Sequence, residues 1–350
     1  MRQGGSRKMQ NNEQRFSFTG TGSEYFRIWI VNLLLTILTL GIYSAWAKVR
    51  RMQYFYRNTR LNESSFDYHG TPIAILKGRL IGISLFAVYY GTLKVAPLIG
   101  LAVGLVIVLM VPFLLVVSFQ FRLYNSSYRG IHFGFSGSIK SAFVTFLAFP
   151  VITVITLCLL APFTHQRIKA YQINNSHLGQ SHFTFNAGAG DFYKIYLLVL
   201  VQFIAIVGLF SYTVYRMLVG NIANIPEEEM IKYVLAFYGI AIAATLLIAP
   251  YFIARIQNLI WNHTELGANR FSSTMSVFGL AWIILSNFIL IVLTLGLFKP
   301  FADIRLARYK MEHMALLAAG NIEEFIASQQ QQISATGTET AEIFDFDIGF

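Results

Sequence analysis

The chain has 350 residues, of which 55% are hydrophobic and only 13% charged, about half the charged share of a soluble domain. That is too little polar surface to face water on all sides, so the composition excludes a water-soluble protein and makes lipid the natural solvent. A net charge of +10 reads in that setting as anchoring beside anionic lipid on the cytoplasmic side, not as a nucleic-acid surface.

Residues 1–15 are polar and lack the apolar core of a cleavable signal peptide, so the first apolar stretch is expected to act as an uncleaved insertion signal. Apolar stretches close to the roughly 20 residues that a bilayer requires follow at 24–44, 74–93, 96–118, 140–161, 192–214, 233–254 and 276–298. Continuous apolar runs exclude an outer-membrane barrel, whose strands alternate with period two. The expected fold is therefore an all-α polytopic membrane protein of about seven transmembrane helices, with short β elements at the membrane surface. Its expected parts are a polar segment 1–15, a repeat-built transmembrane domain 16–310, and an acidic tail 311–350. Within the tail, residues 327–340 read as a flexible linker, and F-D-F-D-I-G from Phe344 reads as a closing strand. The one cysteine, Cys158, lies in an apolar run and is expected to be packed and inert.

Three short patterns recur between the spans. Phe16–Gly20, Phe66–Gly70, Phe133–Gly137 and Phe183–Ala187 alternate aromatic and polar residues, with a weak copy at Phe271, which is the pattern of a short strand and turn. Ala45-Trp46, Pro112-Phe113, Pro162-Phe163, Pro250-Tyr251 and Pro300-Phe301 pair a small residue or proline with an aromatic, and the prolines are expected to kink long helices. Five residues further on come Arg50, Val117, Arg167, Arg255 and Arg305, and four beyond those Tyr54, Phe121, Tyr171, Leu259 and Tyr309. Spacing of four sets Arg and Tyr on one helical face, within cation–π reach. Asn58-Thr59, Asn125-Ser126, Asn175-Ser176 and His263-Thr264 then end the helix by competing for its hydrogen bonds. The repeating unit is strand, span or spans, kink, Arg-Tyr helix and stop. It occurs five times, with one, two, one, two and one spans.

The first and last units match most closely. T-L-G-I-Y-S-A-W-A-K-V-R-R-M-Q-Y at Thr39–Tyr54 returns as T-L-G-L-F-K-P-F-A-D-I-R-L-A-R-Y at Thr294–Tyr309, and at the same offset Asn32 aligns with Asn287. The stretch I-W-I-V-N-L-L-L-T-I-L-T-L-G-I-Y-S-A-W-A-K-V-R-R resembles the YjgN-type, or DUF898, family of bacterial inner-membrane proteins. That resemblance covers nearly the whole chain. It implies a multi-pass protein of the bacterial inner membrane and brings no catalytic residues with it.

Two topologies compete. Seven crossings give a weak excess of basic residues inside. If the single-span units instead dip in and return, all 27 Lys and Arg except Lys94, Arg216 and Lys232 fall on one side, a stronger positive-inside pattern. That arrangement brings Lys48, Arg50 and Arg51 near the bilayer, a cost relieved only at an interface or in a polar cavity. Seven crossings is the expectation adopted.

Candidate sites are few. Asn32 and Asn287 at mid-span offer an intramembrane polar site, against the blander reading of hydrogen bonds between helices. Arg50, Arg167, Arg255 and Arg305 are candidate contacts for headgroups or anions, against simple interfacial anchoring. His69, His132, His177, His182 and His263 match no ligand spacing. No nucleophile–base set is present, so neither an enzyme nor a cofactor or metal is expected. The expected function is a transporter or channel for a small polar or anionic solute. The alternative is a non-transporting membrane scaffold or envelope-maintenance protein. Expected partners are membrane lipid, a small solute and a second copy of the chain, with no nucleic acid.

Overall fold

Strands place every second side chain on one face, so the alternating aromatic segments have a wet side and an apolar side that needs cover. The computed structural model describes residues 13–219, 227–320 and 322–336, and in it these five segments and five shorter return strands close into one antiparallel barrel of ten strands. The first unit is β1 (Glu13–Phe18), α1 (Gly22–Leu38), α2 (Ser44–Asn58) and β2 (Thr59–Leu61). The second is β3 (Ser64–Tyr68), α3 (Pro72–Val95), α4 (Pro97–Tyr124) and β4 (Ser126–Tyr128). The third is β5 (Ile131–Phe135), α5 (Ile139–Phe143), a π-helical turn (Val144–Ala148), α6 (Phe149–Ile155), α7 (Ala161–Asn174) and β6 (Ser176–Leu178). The fourth is β7 (Ser181–Phe185), α8 (Ala189–Val219), α9 (Glu227–Asn262) and β8 (Thr264–Leu266). The fifth is β9 (Asn269–Ser273), α10 (Val277–Leu293), α11 (Lys299–Glu312) and β10 (Met314–Leu317). A last helix, α12 (Ile322–Thr336), follows.

The two strands of each unit flank its helices and pair with each other, and β1 pairs with β10 to close the ring. Units are joined by tight turns that use positive φ at Asn62, Arg129, Gly130, Gly179 and Gly267. All four turns therefore lie at one end of the barrel and all five helical hairpins rise from the other.

Local chemistry explains the element ends. After each aromatic strand, Thr21, Thr71 and Ser138 cap the next helix by accepting a backbone N–H, as Ser276 does before α10. Gly20 and Gly137 lie under the rings of Phe18 and Phe135, where a Cβ would come within 2.7 and 2.5 Å of ring carbons. The return helix is stopped twice over. Asn58, Asn125 and Asn175 donate to the carbonyl four residues back, at 2.7–2.9 Å, and Thr59, Ser126, Ser176 and Thr264 do the same at 2.7–2.8 Å. Their hydroxyls use up carbonyls that the helix leaves open at its C-terminus.

The expectation of an all-α protein with seven crossings is overturned. Among the described residues, three helical stretches are long and apolar enough to cross a membrane: Pro72–Val95, Pro97–Tyr124 and Ala189–Tyr212. The apolar stretches Gly22–Leu38, Ile139–Ile155 and Val277–Leu293 span only about 25 Å at 1.5 Å per residue, short of a core about 30 Å thick. Each ends in a turn that reverses the chain. Thr39 donates to Leu35 O at 2.8 Å and accepts from Tyr43 N at 2.9 Å, and Thr294 repeats the pair with Leu290 and Phe298. Two positive-φ residues follow in each turn, Leu40–Gly41, Leu157–Cys158 and Leu295–Gly296. Leu40 and Leu295 stand 95% exposed at the tips, so these hairpins present apolar ends of the kind that lipid covers.

Other expectations change with it. Pro162 and Pro300 do not kink a helix but start α7 and α11 in the first turn, where the missing N–H costs nothing. Pro112 and Pro250 do lie inside long helices. Cys158 is exposed at a hairpin tip and is not packed. The stretch read as a flexible linker is helical to Thr336, and the closing strand read from Phe344 lies outside the described residues. The strands themselves run 3–6 residues, too short for a bilayer-crossing barrel, which needs about 9–11.

Candidate functional site: the barrel lumen

The five-fold repeat becomes a set of layers around one axis. At strand level, Phe16 faces Leu61, Phe66 faces Tyr128, Phe133 faces Leu178, Phe183 faces Leu266 and Phe271 faces Leu316. Each strand thus contributes one inward residue to a girdle of ten apolar side chains. The five Phe rings form a closed circuit with neighbouring centroids 6.1–6.4 Å apart and ring planes within 13–29° of each other. Toward the helices, Thr59, Ser126, Ser176, Thr264 and Met314 line the next level, then Tyr56, Leu123, Ile173, Trp261 and Met311 from the ends of the return helices. The space they line is about 790 Å3, within the roughly 300–1,000 Å3 typical of small-molecule sites.

Polar groups gather at the helical end. His165, Lys169 and Gln172 recur at helical spacing on α7, with Gln257 contributed by α9. Lys169 Nζ donates to Gln172 Oε1 at 3.2 Å, and among the described residues no carboxylate pairs with it. Burial pulls the Lys169 ammonium below the usual lysine range, and the Arg122 guanidinium adds to this. Burial, then the charge of Lys169, lowers His165 to about 4, so His165 is neutral and shares a hydrogen bond with Tyr196 Oη at 3.0 Å.

The opposite mouth is closed by α12. Ile322, Phe325 and Ile326, spaced to share one helical face, line the space from above. Arg129 grips Glu323 with both guanidinium arms, Gln180 N donates to Gln329 Oε1 at 2.9 Å and Gln330 Nε2 donates to Arg129 O at 3.1 Å.

The residues singled out in the sequence lie elsewhere. None of Asn32, Asn287, Arg50, Arg167, Arg255 or Arg305 lines the lumen. Asn287 is buried inside its own hairpin, donating to Ala302 O at 3.3 Å and accepting from Arg305 Nη1 at 2.7 Å, while Arg305 Nη2 reaches Ser286 Oγ at 3.0 Å. Asn32 is equally buried, but its Oδ1 has no partner among the described residues. Arg50 instead stacks over Tyr43 at 5.8 Å, Arg167 over Phe163 at 4.9 Å and Arg255 over Tyr251 at 5.8 Å. The cation–π partner thus precedes the arginine. The tyrosine that follows does other work. Tyr54 bonds Thr21 through both N and O, Tyr171 donates to Ser138 O, and Tyr309 bonds Ser276 through both N and O, all at 2.9–3.0 Å. These hydroxyls clasp the base of each re-entrant hairpin. The lumen residues were missed in the sequence, although a signal exists. Residues 11, 14 and 16 past each Ala or Pro all face the axis in all five units.

A barrel whose strands are too short to cross a membrane, crowned by apolar helices of which three described stretches are long enough to cross one, is the architecture of a membrane protein with a lumen of ligand size. Residues 13–343 match the family model described as a bacterial protein of unknown function, DUF898, and the chain belongs to that family. It is 26% identical over 348 residues to the inner membrane protein YjgN of Salmonella typhimurium, covering 85% of this chain and 87% of that protein. Against YjgN of Escherichia coli K12 the identity is 32% over 146 residues, 40% of this chain and 35% of the relative. No solved structure matches the chain. The protein is an inner-membrane protein.

Proposed function

We propose that the protein takes a ligand into the barrel lumen from the membrane side and holds it behind α12, as a transporter or as the binding component of one. The observation that carries this reading is the space of about 790 Å3 on the five-fold axis. A scaffold has no need of such a space, and filling it with larger side chains would stabilise one. The lining favours an apolar or amphiphilic ligand over the small polar solute expected from the sequence, because outside the α7–α9 end the lining is apolar apart from Thr59, Ser126, Ser176 and Thr264, whose hydroxyls already donate to helix carbonyls. The reading sets the barrel on the cytoplasmic side. Arg60 and Arg270 on its strands and Arg129 at its far turns support this, since short cytoplasmic segments collect Lys and Arg.

The test is chemical extraction of the purified protein. Mass spectrometry of the wild type is expected to recover a bound molecule that is absent from Leu178→Trp, whose larger side chain fills the girdle. Leu157→Trp at a hairpin tip serves as the control. Identical extracts from wild type and Leu178→Trp would overturn the reading.

A further inference from the structure

The two ends of the lumen ask for different chemistry. In the girdle, a pentagon with edges of 6.1–6.4 Å sets each ring centroid about 5 Å from the axis. With ring planes this close to parallel, the rings lie across the axis and present their edges to it. Subtracting the van der Waals reach of those edges leaves a free radius of about 2 Å. A methylene chain passes such an opening; a branched or polycyclic body does not. Among the side chains of the described residues, the one polar group at this level is the Tyr128 hydroxyl, which donates to Leu61 O at 3.0 Å. At the other end, Lys169 is a half-buried ammonium with an amide neighbour and no counter-ion among the described residues. Buried cations are ordinarily paired, and among the described residues Lys169 has an amide partner but no carboxylate.

We propose that the lumen binds a single unbranched alkyl chain ending in an anionic head, with the head at Lys169, Gln172 and Gln257 and the chain threaded through the Phe girdle toward Phe325. The proposal rests on the lumen being a ligand site and names the class of that ligand. A fatty carboxylate and an alkyl phosphate share this chemistry, and the test separates them.

Trp261 lines the lumen against Phe271, at 5.2 Å between rings. It can therefore report on the chain. Variants retaining only Trp261, or only the lipid-facing Trp282 (67% exposed), are reconstituted into phosphatidylcholine vesicles and titrated with chain-brominated quenchers. The brominated fatty acid is expected to quench Trp261 saturably, at a concentration about tenfold below its brominated alcohol. Trp282 is expected to respond to both without saturating, as partition into the bilayer requires. Lys169→Met should remove the preference for the acid, and Lys169→Arg should keep it. A brominated alkyl phosphate run alongside ranks the two heads. Equal quenching by acid and alcohol would overturn the head site. Equal quenching by a brominated sterol acid would overturn the unbranched chain. If no chain quenches Trp261 saturably while extraction still yields a molecule lost in Leu178→Trp, the ligand class is wrong and the lumen reading stands. If neither result appears, both fall.

Discussion

Arg305 uses both arms of its guanidinium inside its hairpin, one on Asn287 and one on Ser286. Lysine has its donors on a single nitrogen and does not reproduce this two-armed fork. Arg305→Lys is therefore expected to cost about 1–2 kcal/mol, read as a lower midpoint in thermal unfolding in detergent. Arg50, its counterpart in the first unit, is exposed and stacked on Tyr43. Arg50→Lys should stay within about 0.5 kcal/mol of wild type. An equal loss at both positions would mean that the arginines act through charge alone. The repeat in the sequence made these residues visible, because Gly41 and Gly296, Arg50 and Arg305, and Tyr54 and Tyr309 align. It could not show that two aligned arginines have different partners. That difference depends on where Ser286 stands; the aligned position in the first unit is Val31, which offers no acceptor.

At the scale of elements, the re-entrant turns and the final helix make separate claims. The third unit has Cys158 where the first and fifth have glycine, with φ of 66°, and a side chain in the left-handed region costs about 1 kcal/mol or more. Cys158→Gly is expected to stabilise the protein by about 0.5–1 kcal/mol, while Gly296→Cys should destabilise it. The reverse order in melting experiments would show that the turn is not strained. For α12, a thiol placed in the lumen as Ser176→Cys, in a Cys158→Ser background, should react slowly with a water-soluble reagent. Glu323→Ala removes the grip of Arg129, and a chain ended at Gly320 removes the helix altogether. Each should speed the reaction, the truncation by about tenfold or more, because opening the mouth is then no longer a local unfolding step. Unchanged rates would show that α12 does not close the barrel. The first strand of each unit was readable from its aromatic alternation. The second was not: segments of three residues such as Ser126–Tyr128 carry too little pattern, and their Asn-Ser/Thr start was fully explained as a helix stop.

For the whole molecule, closure of the barrel fixes which points share a side. Gly190 and Lys310 both sit at the barrel end of their helices, whereas Ala96 joins α3 to α4 at the far end. Reporter fusions after Gly190 and after Lys310 should both register in the cytoplasm, and one after Ala96 in the periplasm. Opposite signals at Gly190 and Lys310 would restore a chain that crosses in every unit. Hydropathy located nearly all the apolar helices but could not tell a crossing from a return. The deciding residues are Thr39, Thr156 and Thr294 with the two positive-φ positions after them, and they sit within or at the end of apolar runs that look long enough to span. The lumen was hidden for a related reason. Its layers take one residue from each of five distant segments, and no single segment displays them.

The pairing of Glu13–Phe18 with Met314–Leu317 also bears on how the protein is made. Every other strand pair is between neighbours in the chain, so the ribosome can deliver them in order while the hairpins enter the bilayer. The seam alone must wait until Met314–Leu317 has been made. Until then the nascent chain presents two unpaired β edges and an open apolar trough at the membrane surface, features that invite pairing with other chains. Joining ends this far apart costs little more at equilibrium than joining nearer ones, since loop entropy grows only with the logarithm of length. It costs time instead. A message truncated a few codons before Leu317 would thus yield a protein with its transmembrane helices inserted and its barrel unsealed.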